Sequence, residues 1–261
     1  MISATQAWVD VLDEILNHGK EVESRNGICI ELIDHHFEFS MINPYVTAKK
    51  RNINFKYVAA ESLWTILGSN RLDFNDSLKK TLIQWSPTGN HLAGGYGPAF
   101  VLQMPYIVST LRKSLGSRQA VMTIWERSPH FENDMPCMTT MQFLVRENVL
   151  DVIVTMRSSD AWLGLPNDMT VFTMMAACVM LEVGNKDLCL GRCFINAGSR
   201  HLYDKDLEEA GLIVGTRDTF EVPNFTPNKM TFPGFINWLS RAAKAETRDM
   251  AKSILFNGEE L

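Results

Sequence analysis

The sequence predicts an α+β fold in a single domain over residues 1–261. Three observations predict it: apolar residues recur at helical spacing toward both ends, short alternating apolar runs gather in the middle, and neither a repeat nor a linker divides the chain. A length of 261 residues supports one large core or two modest ones, and 46% hydrophobic against 21% charged residues excludes a disordered or fibrous chain. With 25 Lys+Arg against 30 Asp+Glu the formal charge is −5, which argues against a protein that coats nucleic acid. No apolar run reaches the ~20 residues that a membrane-spanning helix needs. Five sparse cysteines fit a reducing compartment better than a disulfide framework, so the expected location is cytoplasmic.

Each element follows from its local pattern. Residues 5–17 place Trp8, Val9, Leu12, Ile15 and Leu16 on one helical face, and Gly19 follows as a stop. In 27–40, Ile28, Ile30 and Leu32, then Phe37 and Phe39, alternate on either side of Asp34, His35 and His36, which predicts two short strands joined by a turn. Lys49, Lys50 and Arg51 form a local basic run. A helix is expected over 57–67, ending at Gly68, then a glycine-rich loop over 89–97 and a helix over 105–115 closed by Gly116. The runs 120–125, 141–145 and 149–155 read as strands. A long helix over 168–183 lies between Pro166 and Gly184, and its methionines read as core packing. A strand over 190–195, a helix over 204–210 and a last helix over 232–255 complete the expectation.

Cys137 follows Pro136 at the junction of a loop and a strand. A cysteine taken alone is more often a small buried hydrophobe than a nucleophile. Twenty residues on, Arg157, Ser158 and Asp160 precede Gly164, Pro166, Asn167 and Asp168 in a polar loop that opens an apolar helix. Such a place suits an anion or a heterocycle, although a solvated loop has similar composition. Then comes the run from Gly198 through His201 to Tyr203. This ordered series is far less frequent by chance than any one of its pieces.

With these residues in that order, the chain resembles the thymidylate synthase family over most of its length. Arg25 is similar to the family's amino-terminal phosphate arginine, Glu61 to the glutamate of its Glu-Leu-Leu-Trp motif, and Tyr96 to its Tyr-Gly loop. Arg118 resembles the arginine that reaches the neighbouring subunit's phosphate, Cys137 the nucleophile, and Gln142 the glutamine of the following strand. Arg157, Ser158 and Asp160 fall on the Arg-Ser-x-Asp motif, and His201 and Tyr203 on the His-x-Tyr that touches the sugar. The resemblance implies a mixed sheet packed against helices, a sheet-to-sheet homodimer with Arg118 working across the interface, and 5,10-methylenetetrahydrofolate as co-substrate. Asp160 and Gly164 are implied beside the folate. Trp85 has two readings, a stacking surface for the folate and a core residue.

One position bears on the substrate. Thymidylate synthases close the loop with Pro-Phe-Asn, whereas this chain has Pro166, Asn167 and Asp168, and the resemblance is closest to the phage deoxycytidylate hydroxymethylases. Cytosine offers a donor at N4 and an acceptor at N3, and a carboxylate accepts from N4; a proton on either partner adds the second bond. Facing uracil, an ionised Asp168 would meet the O4 lone pairs at a cost of ~1–3 kcal/mol or more. The plainer reading of Asp168 is a residue that caps the following helix.

The implied mechanism follows from the ring. C5 of cytosine is a weak nucleophile until something adds at C6, and a thiolate suits that step because it attacks soft conjugated carbon and leaves again. Cys137 would supply it, its pKa lowered if Arg157 lies beside it. Glu61 would position water and move protons. Water capture of the resulting methylene gives 5-hydroxymethyl-dCMP, and hydride gives the 5-methyl product. The polar end, Asn257, Gly258, Glu259, Glu260 and Leu261, is unlike the apolar lid that thymidylate synthases close over folate, which favours water. Gln119 stands where relatives carry a second phosphate arginine. A CMP-specific enzyme and a nucleotide-binding regulator without turnover remain as alternatives. No metal is expected: His35, His36, Cys189 and Cys193 match no zinc spacing, and the glycines of 89–97 form no dinucleotide fingerprint.

Overall fold

The computed structural model describes residues 1–86, 88–125 and 135–257. The strands are β1 (Lys20–Ser24), β2 (Gly27–Ser40), β3 (Val121–Thr123), β4 (Met138–Arg146), β5 (Val149–Asp160) and β6 (Cys189–Tyr203). They form a six-stranded sheet in the order β1-β2-β6-β5-β4-β3. Every neighbouring pair is antiparallel except β5 and β6. A parallel pair needs a crossover, and α5 (Leu165–Val183) supplies it. The fold is the mixed α+β arrangement that the sequence predicts.

Local chemistry fixes the turns. Glu147 and Asn148 both take positive φ, 51° and 61°, and join β4 to β5 as a two-residue hairpin of the kind whose twist suits the flanking strands. The stretch 27–40 is one strand rather than two joined by a turn. Asp34 has φ 56° but does not reverse the chain: the register passes from Ile33↔Ser199 to His35↔Ala197, leaving Asp34 and Gly198 facing each other unpaired. Aspartate tolerates that conformation better than most side chains. The β5–β6 ladder skips the same level, from Met156↔Ala197 to Ser158↔Ser199. The irregularity therefore crosses three strands at one level, and the polar ends of β5 and β6 lie beyond it.

Helices cover one face. α1 (Ala4–His18) packs on β2, and α2 (Phe55–Ile66) packs on α5 and α7 (Phe232–Lys244). α5 is apolar all round and buried along nearly its whole length, with Met169, Met174, Met175 and Met180 in the core. α4 (Gly97–Lys113) starts eight residues before the expected 105, because Pro98 fits the first turn. Pro105 is tolerated inside because it and Val101 face solvent, where the carbonyl that loses its partner is wetted. The strand expected over 190–195 runs on to Tyr203. The helix expected over 204–210 is a 3₁₀ turn followed by α6 (Leu207–Thr216). The helix expected over 232–255 is two, α7 and α8 (Arg248–Asn257), separated where Ala245 turns extended and the Thr247 hydroxyl accepts from the Met250 N–H. β1 and α3 (Asp76–Leu82) were not anticipated. No described helix is long and apolar enough to cross a membrane.

Candidate active site

Beyond the irregular level, β5 ends in Ser158, Ser159 and Asp160, and β6 in Ser199, Arg200, His201 and Tyr203. Their polar ends meet the start of α5, the middle of α2 and the loop before β4 around a cavity of about 750 Å³, within the range of small-molecule sites. A second cavity of about 410 Å³ continues it toward the β1–β2 turn. Cys137, Glu61, Tyr96, Asp160 and Asp168 all line the larger one. The ends of two central strands, two helices and the loops before α4 and β4 thus deliver these residues to one space.

Two carboxyl groups stand in the dry part of this cavity. Glu61, on α2, accepts a hydrogen bond at Oε1 from the Tyr57 hydroxyl at 3.1 Å, while its Oε2 is buried without a partner. Burial pushes its pKa up to about 7, the Tyr57 hydrogen bond holding it down in part. Asp168 lies in the first turn of α5, and burial followed by the nearness of Glu61 pushes its pKa well above the usual carboxylate range, with Arg200 opposing. It does not cap the helix: Gly164 occupies the N-cap with no side-chain bond, and the Asp168 carboxyl turns to the cavity. A β-carbon added at Gly164 would lie 3.5 Å from Asp168 Oδ2, in ordinary contact. Asp160 serves the backbone: its Oδ1 accepts from Trp162 N at 2.8 Å and Leu163 N at 2.9 Å, pinning the turn that leads into α5. Trp8 reinforces that turn by donating to the Ala161 carbonyl at 2.7 Å.

The sulfur sits on a loop that Arg157 holds in place. Arg157 donates from Nε to the Pro136 carbonyl at 3.0 Å and from Nη2 to the Met135 carbonyl at 2.8 Å. Its backbone N–H donates to the Cys137 carbonyl at 2.8 Å. Three bonds from one residue thus fix the approach to a half-buried thiol. The Tyr96 ring faces Phe172 at 6.1 Å, and burial drives its phenol far from ionisation.

The smaller cavity gathers Arg25, Arg157, Ser158, His201 and Tyr203. The His201 and Tyr203 rings meet edge-on at 5.2 Å, and burial lowers the His201 pKa, leaving a neutral imidazole as a donor and acceptor. Across the larger cavity, Trp64, Leu82, Trp85 and Val171 form an apolar wall beside the polar rim of Asp160 and Asn167. A flat heterocycle with polar edges fits such a wall and rim. Trp85 packs on the core and also lines this wall.

Comparison with known protein families matches residues 6–239 to thymidylate synthase. The chain belongs to the thymidylate synthase family. Members of this family transfer a one-carbon unit from methylenetetrahydrofolate, and the cavity provides the thiol, the acids and the apolar wall for such a reaction. Arg118 and Gln142 line neither cavity. Gln142, on β4, donates to the Arg118 carbonyl at 2.9 Å, so these two are joined to each other beside β3 rather than brought to either cavity within one chain. Gln119 is exposed.

Sequence reading missed Tyr57, Glu31 and Arg200. Tyr57 lies one helical turn from Glu61, a signal that the spacing contained. Arg200 is fully buried; Nη1 donates to Ser159 Oγ at 2.5 Å, and Nε and Nη2 have no partner. Nothing in a strand of alternating residues announces a buried guanidinium. His35 bonds Glu14 at 2.9 Å, and among the described residues no group of histidine, cysteine and carboxylates is arranged to hold a metal. Residues 258–261, the polar end contrasted above with an apolar lid, lie outside the described residues.

Proposed function

We propose that this enzyme transfers a one-carbon unit to C5 of dCMP and that water completes the reaction to give 5-hydroxymethyl-dCMP. The observation that carries the reading is Asp168, a carboxyl on the cavity wall rather than at a helix cap. Burial draws the Asp168 carboxyl toward its protonated form, whose O–H donates to cytosine N3 while its other oxygen accepts from N4–H. Ring nitrogen N3 is a stronger base than uracil O4, and a shared proton is held more tightly between acid and base of matched strength. Cytosine is therefore favoured even though a neutral carboxyl has both a donor and an acceptor.

In this reading Cys137 adds to C6 and the electron pair moves to C5, which bonds to the one-carbon unit. Methylenetetrahydrofolate supplies that unit when bound against Trp85, Gly164 and Asp160. Glu61, with a pKa near neutrality, takes and returns protons at the base, including the C5 proton whose loss accompanies departure of tetrahydrofolate from the one-carbon unit; water then adds to that carbon and the thiolate leaves C6. Tyr96 closes the space around the sulfur. Arg25, Arg157, Ser158 and the partner's Arg118 hold the 5′-phosphate, and His201 and Tyr203 the sugar. The half-exposed outer face of the sheet, with Leu144, Ile153 and Phe194 among polar residues, supports a sheet-to-sheet homodimer.

Tritium release from C5-labelled dCMP, dUMP and CMP, with mass analysis of the product, tests the proposal. Release from dCMP with a hydroxymethyl product is expected, and Cys137→Ser abolishes it. Asp168→Asn replaces an acidic O–H by a weakly acidic N–H and shifts the dCMP:dUMP preference toward dUMP by about tenfold to hundredfold. Preference for dUMP in the unaltered protein refutes the substrate assignment, and a methyl product refutes the water step.

A further inference from the structure

Glu31 is a carboxylate in a cavity where the family motifs leave it no part. It lies on β2 directly across from His201 on β6, so the two side chains share a face with Ser199 and Tyr203, two residues away on either side of His201. Its Oε2 accepts a hydrogen bond from the Ser199 hydroxyl at 2.5 Å. Glu31, Ser199, His201 and Tyr203 all line the smaller cavity, together with Arg25 and Arg157. No lysine or arginine among the described residues forms an ion pair with Glu31.

The charges divide this cavity. A phosphate dianion is drawn to the arginines and repelled by Glu31, so a nucleotide enters with its phosphate at Arg25 and Arg157 and with an uncharged part at Glu31. A carboxylate there needs a donor, because an ionised acid only accepts. The donors of a cytidine nucleotide are the N4 amino group and the sugar hydroxyls, and Asp168 takes the first at the other end of the larger cavity. The sugar hydroxyls remain. We infer that Glu31 reads a sugar hydroxyl of the nucleotide, accepting its hydrogen bond on a carboxylate that Ser199 holds in orientation. The inference rests on the nucleotide reading of the site but not on which pyrimidine occupies it.

The test is equilibrium binding by calorimetry to the full-length protein. The ligands are dCMP, CMP, 3′-deoxy-CMP and 2′,3′-dideoxy-CMP, with UMP, dUMP and 2′,3′-dideoxy-UMP as a parallel series. The unaltered protein is expected to bind CMP, which carries both hydroxyls, about tenfold to hundredfold more tightly than the dideoxy compound, the range for a charge-assisted hydrogen bond. Glu31→Ala should reduce that ratio to about twofold or less, while the dideoxy compound binds the variant at least as tightly as the unaltered protein, its phosphate no longer repelled, and so reports an intact site. Glu31→Gln, which keeps an acceptor without the charge, should fall between and serves if the alanine variant does not fold. A 3′-deoxy compound that binds like CMP assigns the 2′ hydroxyl, and dCMP that binds like CMP assigns the 3′. An unchanged ratio in both variants overturns the inference. Because the uridylate series carries ribose, 2′-deoxyribose and the dideoxy sugar as well, a failure of cytosine preference alone leaves this ratio measurable and separates the two claims.

Discussion

Glu61→Gln isolates the energy of a buried acid. The pKa of Glu61 rises from 4.5 to about 7 on folding, chiefly through burial. A raised carboxyl pKa means that the folded protein prefers the neutral form. Its stabilising contribution is complete below the unfolded value of 4.5 and is lost as pH climbs through the folded value of about 7. That rise amounts to about 3 kcal/mol, of which about 2–3 kcal/mol is lost between about pH 5 and pH 8. Glutamine cannot ionise, so the variant escapes that loss. Its amide oxygen still accepts from the Tyr57 hydroxyl, and its NH₂ takes the position of the partnerless Oε2. That buried donor costs ~1–3 kcal/mol at every pH, so it drops out of the comparison between pH values. Urea unfolding of both proteins at the two pH values reads the result: the difference in stability, variant minus unaltered, should grow by about 2–3 kcal/mol toward the higher pH. Other titrating groups are common to both proteins, and easing Asp168 by removing the Glu61 charge pushes the same way. Parallel pH dependences would refute the burial of an ionisable Glu61 and, with it, the assignment of a near-neutral proton carrier.

Arg200→Met tests the converse case. The guanidinium is fully buried with one hydrogen bond, and burial lowers its pKa to about 10. Replacing it by an apolar side chain of similar length removes a buried charge that forms no ion pair among the described residues but strands the Ser159 hydroxyl at ~1–3 kcal/mol, so urea unfolding should show at most that loss, while the pH at which Asp168 ionises rises; a destabilisation beyond about 3 kcal/mol contradicts this. The shared site is tested by mixing two inactive proteins, Arg118→Ala and Cys137→Ser. Hybrid dimers would pair one intact thiol with the partner's intact Arg118 and regain tritium release, and a mixture that stays inactive argues that Arg118 serves its own chain or none.

The sequence made the fold legible where burial follows a period. α5 was readable because a run of methionines, valines and alanines between Pro166 and Gly184 has no face left for water, and it is the buried crossover. β2 was split in two because Asp34, His35 and His36 look like a turn. Only the ladder with β6 distinguishes a left-handed aspartate within a strand from one that reverses the chain. α4 was cut short at Pro105 because sequence alone does not say which side of a helix is wet. At the site, the residues gathered around the larger cavity were legible as ordered motifs. Glu31 and Arg200 were not, since each gains its significance from a neighbour on another strand, Ser199 for the one and Ser159 for the other.

The same cross-strand logic links the anion subsite to the sulfur. Arg157 already donates to the carbonyls of Met135 and Pro136, and its backbone holds Cys137, so its guanidinium is part of the nucleophile's loop before any ligand arrives. A phosphate that takes up the remaining donors of this guanidinium binds, in effect, to the loop as well. Five donors in a rigid fork allow both duties at once, which a lysine's single flexible ammonium does not. In the nucleotide site proposed above, phosphate occupancy is therefore coupled to the placement of the thiol. A nucleoside without its phosphate should lose turnover beyond what its weaker binding accounts for, because part of the phosphate's binding energy is spent on orienting Cys137.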